Sequence, residues 1–299
     1  MKTRPVLDPR IALIIATIGV SFAAIFIKFS GAPSIIIAFY RKAFATLLLL
    51  PFLFIYGREA LSKISRREVF EIVAAGVALA FHFWSWIESL KHVSVANSVL
   101  LVTSHPLLVG ILSMRLLGER MGSLQWAGTG IALGGIAMIT AGDWKAGLGQ
   151  KLIGDLLALL GMVAFAVYLL AGRRLRQGLP TLVYVVPVFA VSALVLLLIV
   201  MVMSTPLTGY PAQDWAIFLA LAVVCTIVGH TLYNYSLAYV PASLVSVALL
   251  GEPVLSSLFA WLLLSEVPSW FVLPGGILVL TGIYLANVGM RRVASPRGK

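Results

Sequence analysis

Charge is scarce in this chain. Only 11% of its 299 residues are Asp, Glu, Lys or Arg, against roughly 25% in soluble globular domains. That excludes a molecule covered mainly by a water-facing surface. Cysteine is nearly absent: Cys225 stands alone in an apolar stretch, so there is no disulfide framework and no thiolate metal site. Long polar segments are missing too. The longest, Gly57 to Glu68, is too short to fold as an extramembrane domain. No nucleotide-binding motif occurs, which excludes direct use of ATP. Histidine is limited to four residues, and no two share the close helical spacing a metal pair needs.

What is abundant is apolar: 61% of the chain, arranged in runs of about 20 residues, the length that crosses ~30 Å of hydrocarbon. The runs predict an all-α integral membrane protein with ten transmembrane helices, near 11–29, 34–56, 69–90, 94–116, 123–141, 153–172, 180–203, 215–237, 242–264 and 270–290. The basic N-terminus (Lys2, Arg4, Arg10) followed by Ile11 to Phe29 has the look of a signal peptide. Its apolar run is too long for one, and no small-x-small cleavage site follows, so it is read as the first span. The net charge of +11 would suit nucleic acid, but its distribution fits topology better. With the N-terminus in the cytoplasm, 16 of the 22 basic residues fall in cytoplasmic segments. Four (Lys28, Lys91, Lys145 and Lys151) fall outside, and Arg41 and Lys42 lie within the second span. Such a bias places both termini in the cytoplasm.

Glu252 and Pro253 set a carboxylate beside a helix breaker inside the apolar run Val245 to Leu264. A charge at bilayer depth costs at least ~2.5 kcal/mol on insertion scales, and is kept facing a cavity or a partner. A proline there frees a backbone carbonyl that protein or water must cover. His105-Pro106 holds the equivalent place 147 positions earlier. The same offset superposes Ser89-Leu90 on Ser236-Leu237, Val93 on Val240, Glu119 on Glu266, Gly128 on Gly275 and Gly135 on Gly282. The chain therefore reads as a duplication, 1–145 and 146–299, of five helices each. Five is odd, so the second unit enters the membrane upside down. Inverted repeats are the architecture of secondary transporters, with the substrate site near the midplane.

These residues carry a family resemblance that covers the whole chain. The fourth span reads Ser104-His105-Pro106 and ends Leu116-Leu117-Gly118-Glu119-Arg120; the ninth reads Glu252-Pro253 and ends Trp261-Leu262-Leu263-Leu264-Ser265-Glu266. The second contains Phe39-Tyr40-Arg41 and runs to Leu50-Pro51. In this the chain resembles EamA-type members of the drug/metabolite transporter superfamily, most of all bacterial exporters of aromatic and other amino acids. The resemblance implies a bacterial inner-membrane exporter working by alternating access. It also implies a central cavity formed by spans one, three, four, six, eight and nine, and no cofactor. The first half departs from the pattern by carrying His105 where the second carries Glu252.

Position along the spans nominates the cavity residues. His82, His105 and Glu252 lie near the centres of their spans, and His230 lies nearer the cytoplasmic side. They suit hydrogen bonding to a zwitterion and leave proton coupling open; each equally suits a structural bond between helices. Trp86 and Tyr233 superpose in the repeat, with Asn234 on the adjoining face, and would flank a semi-apolar cargo or simply pack. Arg41 would attract a carboxylate or form an ion pair. Adjacent positions point apart, so one of Arg41 and Lys42 is expected to snorkel outward. Pro106, Pro187 and Pro253 mark kinks or hinges. Gly130-x-x-x-Gly134 and Gly282-x-x-x-Ala286 permit close helix packing, between copies or within one, which leaves monomer and dimer undecided. Glu119 and Glu266 are read as loop caps or ion-pair partners. The expected partners are an amino acid or similar metabolite and the bilayer, with no nucleic acid. Drugs or other metabolites are the nearest alternative cargo; an intramembrane enzyme using Glu252 and His105, or a passive channel, belongs to other classes.

Overall fold

The computed structural model describes residues 5–93, 95–119, 121–141, 148–265 and 270–294. Glu266 lies outside them, as do Lys2, Arg4, Ser94, Arg120, Lys145, Arg297 and Lys299. A helix falls on each of the ten apolar stretches. We number them α1 (Pro9–Phe29), α2 (Ser34–Tyr56), α3 (Arg66–His92), α4 (Val95–Thr103 and His105–Leu116), α5 (Ser123–Ala141), α6 (Leu148–Leu175), α7 (Thr181–Val202), α8 (Ala212–Ser236), α9 (Ala242–Leu264) and α10 (Val272–Ala294). No strand occurs among the described residues. Seven helices, namely α1 to α3 and α6 to α9, are long and apolar enough to cross a membrane. The apolar parts of α4 and α10 are shorter, Leu101–Leu116 and Leu273–Ala286.

Local chemistry sets the helix starts. Asp8 caps α1 by accepting from Arg10 N at 2.8 Å. Ser65 and Glu68 form a reciprocal capping box on α3, satisfying two backbone donors that a helix start leaves open. Pro33, Pro180, Pro211 and Pro241 stand just before α2, α7, the first piece of α8 and α9.

Four helices are interrupted: α1 at Phe22, α4 at Ser104, α9 at Leu249-Leu250, and α8 by a π-helical stretch, Leu221–His230. Pro106 and Pro253 sit just after two of these breaks, where a missing N–H and a fixed φ obstruct a continuous helix. Helices α4 and α9 break at corresponding points. Second pieces begin at His105 and Gly251, and both helices end at a left-handed residue, Gly118 (φ 65°) and Ser265 (φ 56°), which stand 147 apart. Pro187, by contrast, lies inside a continuous α7.

Helices α5 and α10 are the most closely packed pair. A Cβ on Gly128 would lie 2.5 Å from Gly282 O, and one on Gly135 would lie 2.5 Å from Gly275 O. Contact this close needs glycine on both sides. Gly130 and Gly134 have nothing within 4 Å. Of the two glycine stripes, then, Gly282-x-x-x-Ala286 packs α10 on α5, while Gly130 and Gly134 face away. The main core draws on α1 to α4 and α6 to α9.

Candidate functional site: a closed central cavity

A small cavity lies in the middle of the bundle. Its walls are Val20 and Ala23 of α1, Arg41 of α2, His82, Phe83 and Trp86 of α3, Val102, Thr103 and His105 of α4, Phe165 of α6, His230 and Tyr233 of α8, and Leu249 and Glu252 of α9. Seven of the eight candidate binding residues meet there. All four interrupted helices contribute to it. The six spans that the resemblance implied all line it, and α2 joins them through Arg41.

The cavity measures about 30 Å³, room for two or three waters, since one needs roughly 10–15 Å³. Ligand sites usually run to some 300–1,000 Å³, so the cavity is far smaller than a ligand site of ordinary size.

Arg41 is 1% exposed. Its Nε donates to Thr226 Oγ1 at 2.8 Å, and its guanidinium carbon lies 4.1 Å from the Phe83 ring centroid. Its Nη1 has no hydrogen-bond partner, nor does Trp86 Nε1. Glu252 is close enough to Arg41 for the two to act on each other electrostatically. They form no direct ion pair, and the Glu252 carboxylate bonds to no described residue. An acceptor and two unused donors therefore face one space.

The histidines are held by neighbours. His82 Nδ1 lies 3.0 Å from Gly161 O, His105 Nδ1 lies 3.0 Å from Thr103 O, and His230 Nδ1 shares a hydrogen bond with the Tyr233 hydroxyl. Phe165 packs between helices, its centroid 4.7 Å from His82 and 4.8 Å from His105. Neither Phe165 nor Phe83 could be singled out from sequence, because a phenylalanine in an apolar span carries no signal of which way it faces.

Two residues differ from expectation. Lys42 does not snorkel: it is 0% exposed, its Nζ 3.9 Å from the Phe83 centroid and 4.5 Å from that of Phe189. Helix α7 covers the face that sequence alone left toward lipid. Asn234 stands behind the cavity wall, its Nδ2 donating to Tyr168 Oη and to His230 O.

A polar cluster closes one end of the bundle. The left-handed turn at Gly118 delivers Glu119, whose two carboxylate oxygens accept from Arg173 Nε at 2.6 Å and from Ala242 N at 3.1 Å. Arg173 Nη1 also donates to Leu237 O at 2.6 Å. Glu119 is thus both a helix cap and an ion-pair partner, joining α4, α6, α8 and α9. At the other end Asp214 accepts from Ser30 Oγ at 2.6 Å and from Gly31 N at 3.2 Å.

A multi-pass apolar bundle around a small, mostly apolar cavity that holds a few unpaired polar groups has the form of a membrane carrier of small molecules. The chain belongs to the EamA-like transporter family, whose model matches residues 10–141 and again 152–288. Among its relatives, the pseudopaline exporter of Pseudomonas aeruginosa is 26% identical, aligned over 83% of this chain and 84% of that one. The riboflavin transporter of Rhizobium johnstonii is 30% identical over 88% and 84%. A probable terminal-alkyne amino-acid exporter of Streptantibioticus cattleyicolor is 26% identical over 70% of each. The chain is accordingly a secondary transporter of small metabolites, resident in a membrane of the bacterial inner-membrane kind, and not an enzyme.

Proposed function

We propose that the chain exports amino acids, aromatic ones included, by alternating access through the central cavity. The observation that carries this is the pairing of Arg41 with Glu252 across one space with no bond between them. A zwitterion supplies a carboxylate for Arg41 Nη1 and Trp86 Nε1 and an ammonium for Glu252, which relieves buried polar groups that otherwise lack partners. Phe83, Trp86, Phe165 and Tyr233 add apolar and aromatic surface for a side chain. The alkyne amino-acid exporter supports the same cargo class. The varied names among the relatives favour, as a second reading, another small metabolite of similar size.

Ten spans in two inverted halves, with both termini in the cytoplasm, complete the proposal. The support is the glycine contact between α5 and α10. Gly128 meets Gly282 and Gly135 meets Gly275, so exchanging the halves at the 147-residue offset turns one contact into the other. Such an exchange is what a two-fold axis between the halves would produce. The pairing runs antiparallel, so the axis crosses the helices and inverts one half relative to the other. In this orientation the Glu119 cluster closes the cytoplasmic end. Opening requires that the halves part there, and the interrupted helices supply places to bend.

The test is uptake of labelled amino acids by proteoliposomes holding the purified chain, with and without a pH gradient. Saturable uptake above protein-free vesicles is expected. Uptake of another metabolite, with none for any amino acid, would overturn the cargo assignment.

A further inference from the structure

We infer that the cavity recognises the nitrogen end of its cargo by N–H donation to His82, His105 and Glu252, so that it takes primary ammonium groups and discriminates against quaternary ones. This rests on the reading above only in placing an ammonium in the cavity; a carboxylate at the other end is not required.

The argument turns on which ring nitrogen holds the proton. A neutral imidazole has one donor and one acceptor nitrogen. A backbone carbonyl can only accept, so Nδ1 is the donor in His82, toward Gly161 O, and in His105, toward Thr103 O. In each neutral ring Nε2 therefore keeps a lone pair. Nε2 of His105 is buried and has no hydrogen-bond partner, and His105 itself is 1% exposed. No described residue bonds Nε2 of His82 either. The third ring differs. His230 Nδ1 meets the Tyr233 hydroxyl, which can donate or accept, so neither tautomer is imposed there.

Backbone packing maintains the His82 arrangement. Gly161 lies where α6 presses on α3: a Cβ there would stand 3.1 Å from Ser85 Oγ and 3.4 Å from His82 O. The close approach brings Gly161 O within reach of the His82 ring. In α4 the break at Ser104 leaves Thr103 O facing the ring two residues on.

The cavity thus has two kinds of polar wall. Arg41 Nη1 and Trp86 Nε1 offer protons. Nε2 of His82, Nε2 of His105 and the Glu252 carboxylate accept them. Three acceptor groups match the three N–H bonds of a primary ammonium. A rival arrangement uses the same walls: Trp86, Phe165 and Tyr233 would attract any cation through their ring faces, as aromatic cages hold quaternary ammonium. The lone pair on His105 separates the two, because a trimethylammonium would leave it buried and unpaired.

The experiment measures binding to the full-length protein in detergent by ligand-induced shift of thermal unfolding. The probes are phenethylamine and its N-methyl and N,N,N-trimethyl derivatives. Primary amine is expected to bind at least about tenfold more tightly than the trimethyl form, the scale of one unpaired buried group. His105→Phe and His82→Phe keep a ring and remove the lone pair, and either should shrink that ratio severalfold. Should both fail to fold, the ratio in the unaltered protein decides alone. A trimethyl derivative that binds as well as the primary amine, or full discrimination retained in both folded variants, overturns the inference. So does failure of every amine to bind. Amine discrimination without amino-acid uptake would sink the amino-acid reading alone; uptake that tolerates trimethylated cargo would sink this inference alone.

Discussion

Replacing Glu119 tests whether one partly buried carboxylate holds four helices together. Its side chain is 12% exposed and that of Arg173 10%, so the pair is largely out of water. Removing one partner of a fully buried pair costs about 3–5 kcal/mol. With some solvent access remaining, Glu119→Ala should cost about 3 kcal/mol, because Arg173 Nε and Ala242 N both lose their acceptor. Glu119→Gln keeps one acceptor oxygen but loses the charge, for about 1.5 kcal/mol. At about 2 °C per kcal/mol for a chain of this size, the expected falls in Tm are about 6 °C and about 3 °C. Thermal unfolding of the purified protein, followed by tryptophan fluorescence, measures both. The double variant Glu119→Gln/Arg173→Gln should be less destabilised than the sum of its parts by about 1 kcal/mol. A Tm for Glu119→Ala within about 1 °C of the parent, or strict additivity in the double variant, would refute the closing role.

Four further outcomes are expected. Gly282→Val places a Cβ 2.4 Å from Gly128 O and 2.5 Å from Ala132 N, both backbone atoms, so α5 and α10 must separate and folded yield should collapse. Gly134→Ala meets nothing within 4 Å and should be neutral or stabilising by up to about 1 kcal/mol through helix propensity, as read from the same unfolding curves. Glu252→Gln and Trp86→Ala should each lower proteoliposome uptake at least about tenfold, corresponding to some 1.4 kcal/mol of lost interaction, with monodisperse protein retained; Glu119→Gln should be milder in uptake. Lys42→Met removes a buried amine that has no acceptor and should raise Tm by about 2 °C or more, since exchanging an unpaired buried polar group for an apolar group of similar length is stabilising; a lower Tm would show that the ring contacts of Lys42 outweigh its desolvation.

Much of the site was legible because polar groups stand out against an apolar background. Arg41, His82, His105, His230 and Glu252 are conspicuous in spans where charge is expensive, and all five reach the cavity. Trp86 and Tyr233 were found through the repeat. Asn234 was legible as polar but not as to direction: it sits one position from Tyr233, and that step of about 100° turns it toward Tyr168. Lys42 failed for the opposite reason. Its charge suggested an outward course, and only the position of α7, with Phe189, encloses it. The glycine stripes show the same limit. Gly130 and Gly134 have the better-known spacing, but Gly128 and Gly135 lie on the face that meets α10.

What the sequence determined by itself was the class of molecule: helices where apolar runs are long enough, and breaks where proline follows His105 and Glu252. These follow from the cost of polar groups in hydrocarbon and from backbone geometry, both local. What only the tertiary structure decided was direction and distance. Which ring nitrogen of His82 is free depends on Gly161, 79 residues away. Whether Glu119 caps or pairs depends on Arg173 and Ala242, on α6 and α9. That Arg41 and Glu252 share a space without touching depends on seven helices closing around about 30 Å³. Such relations arise from packing between distant segments, and no window of sequence contains them.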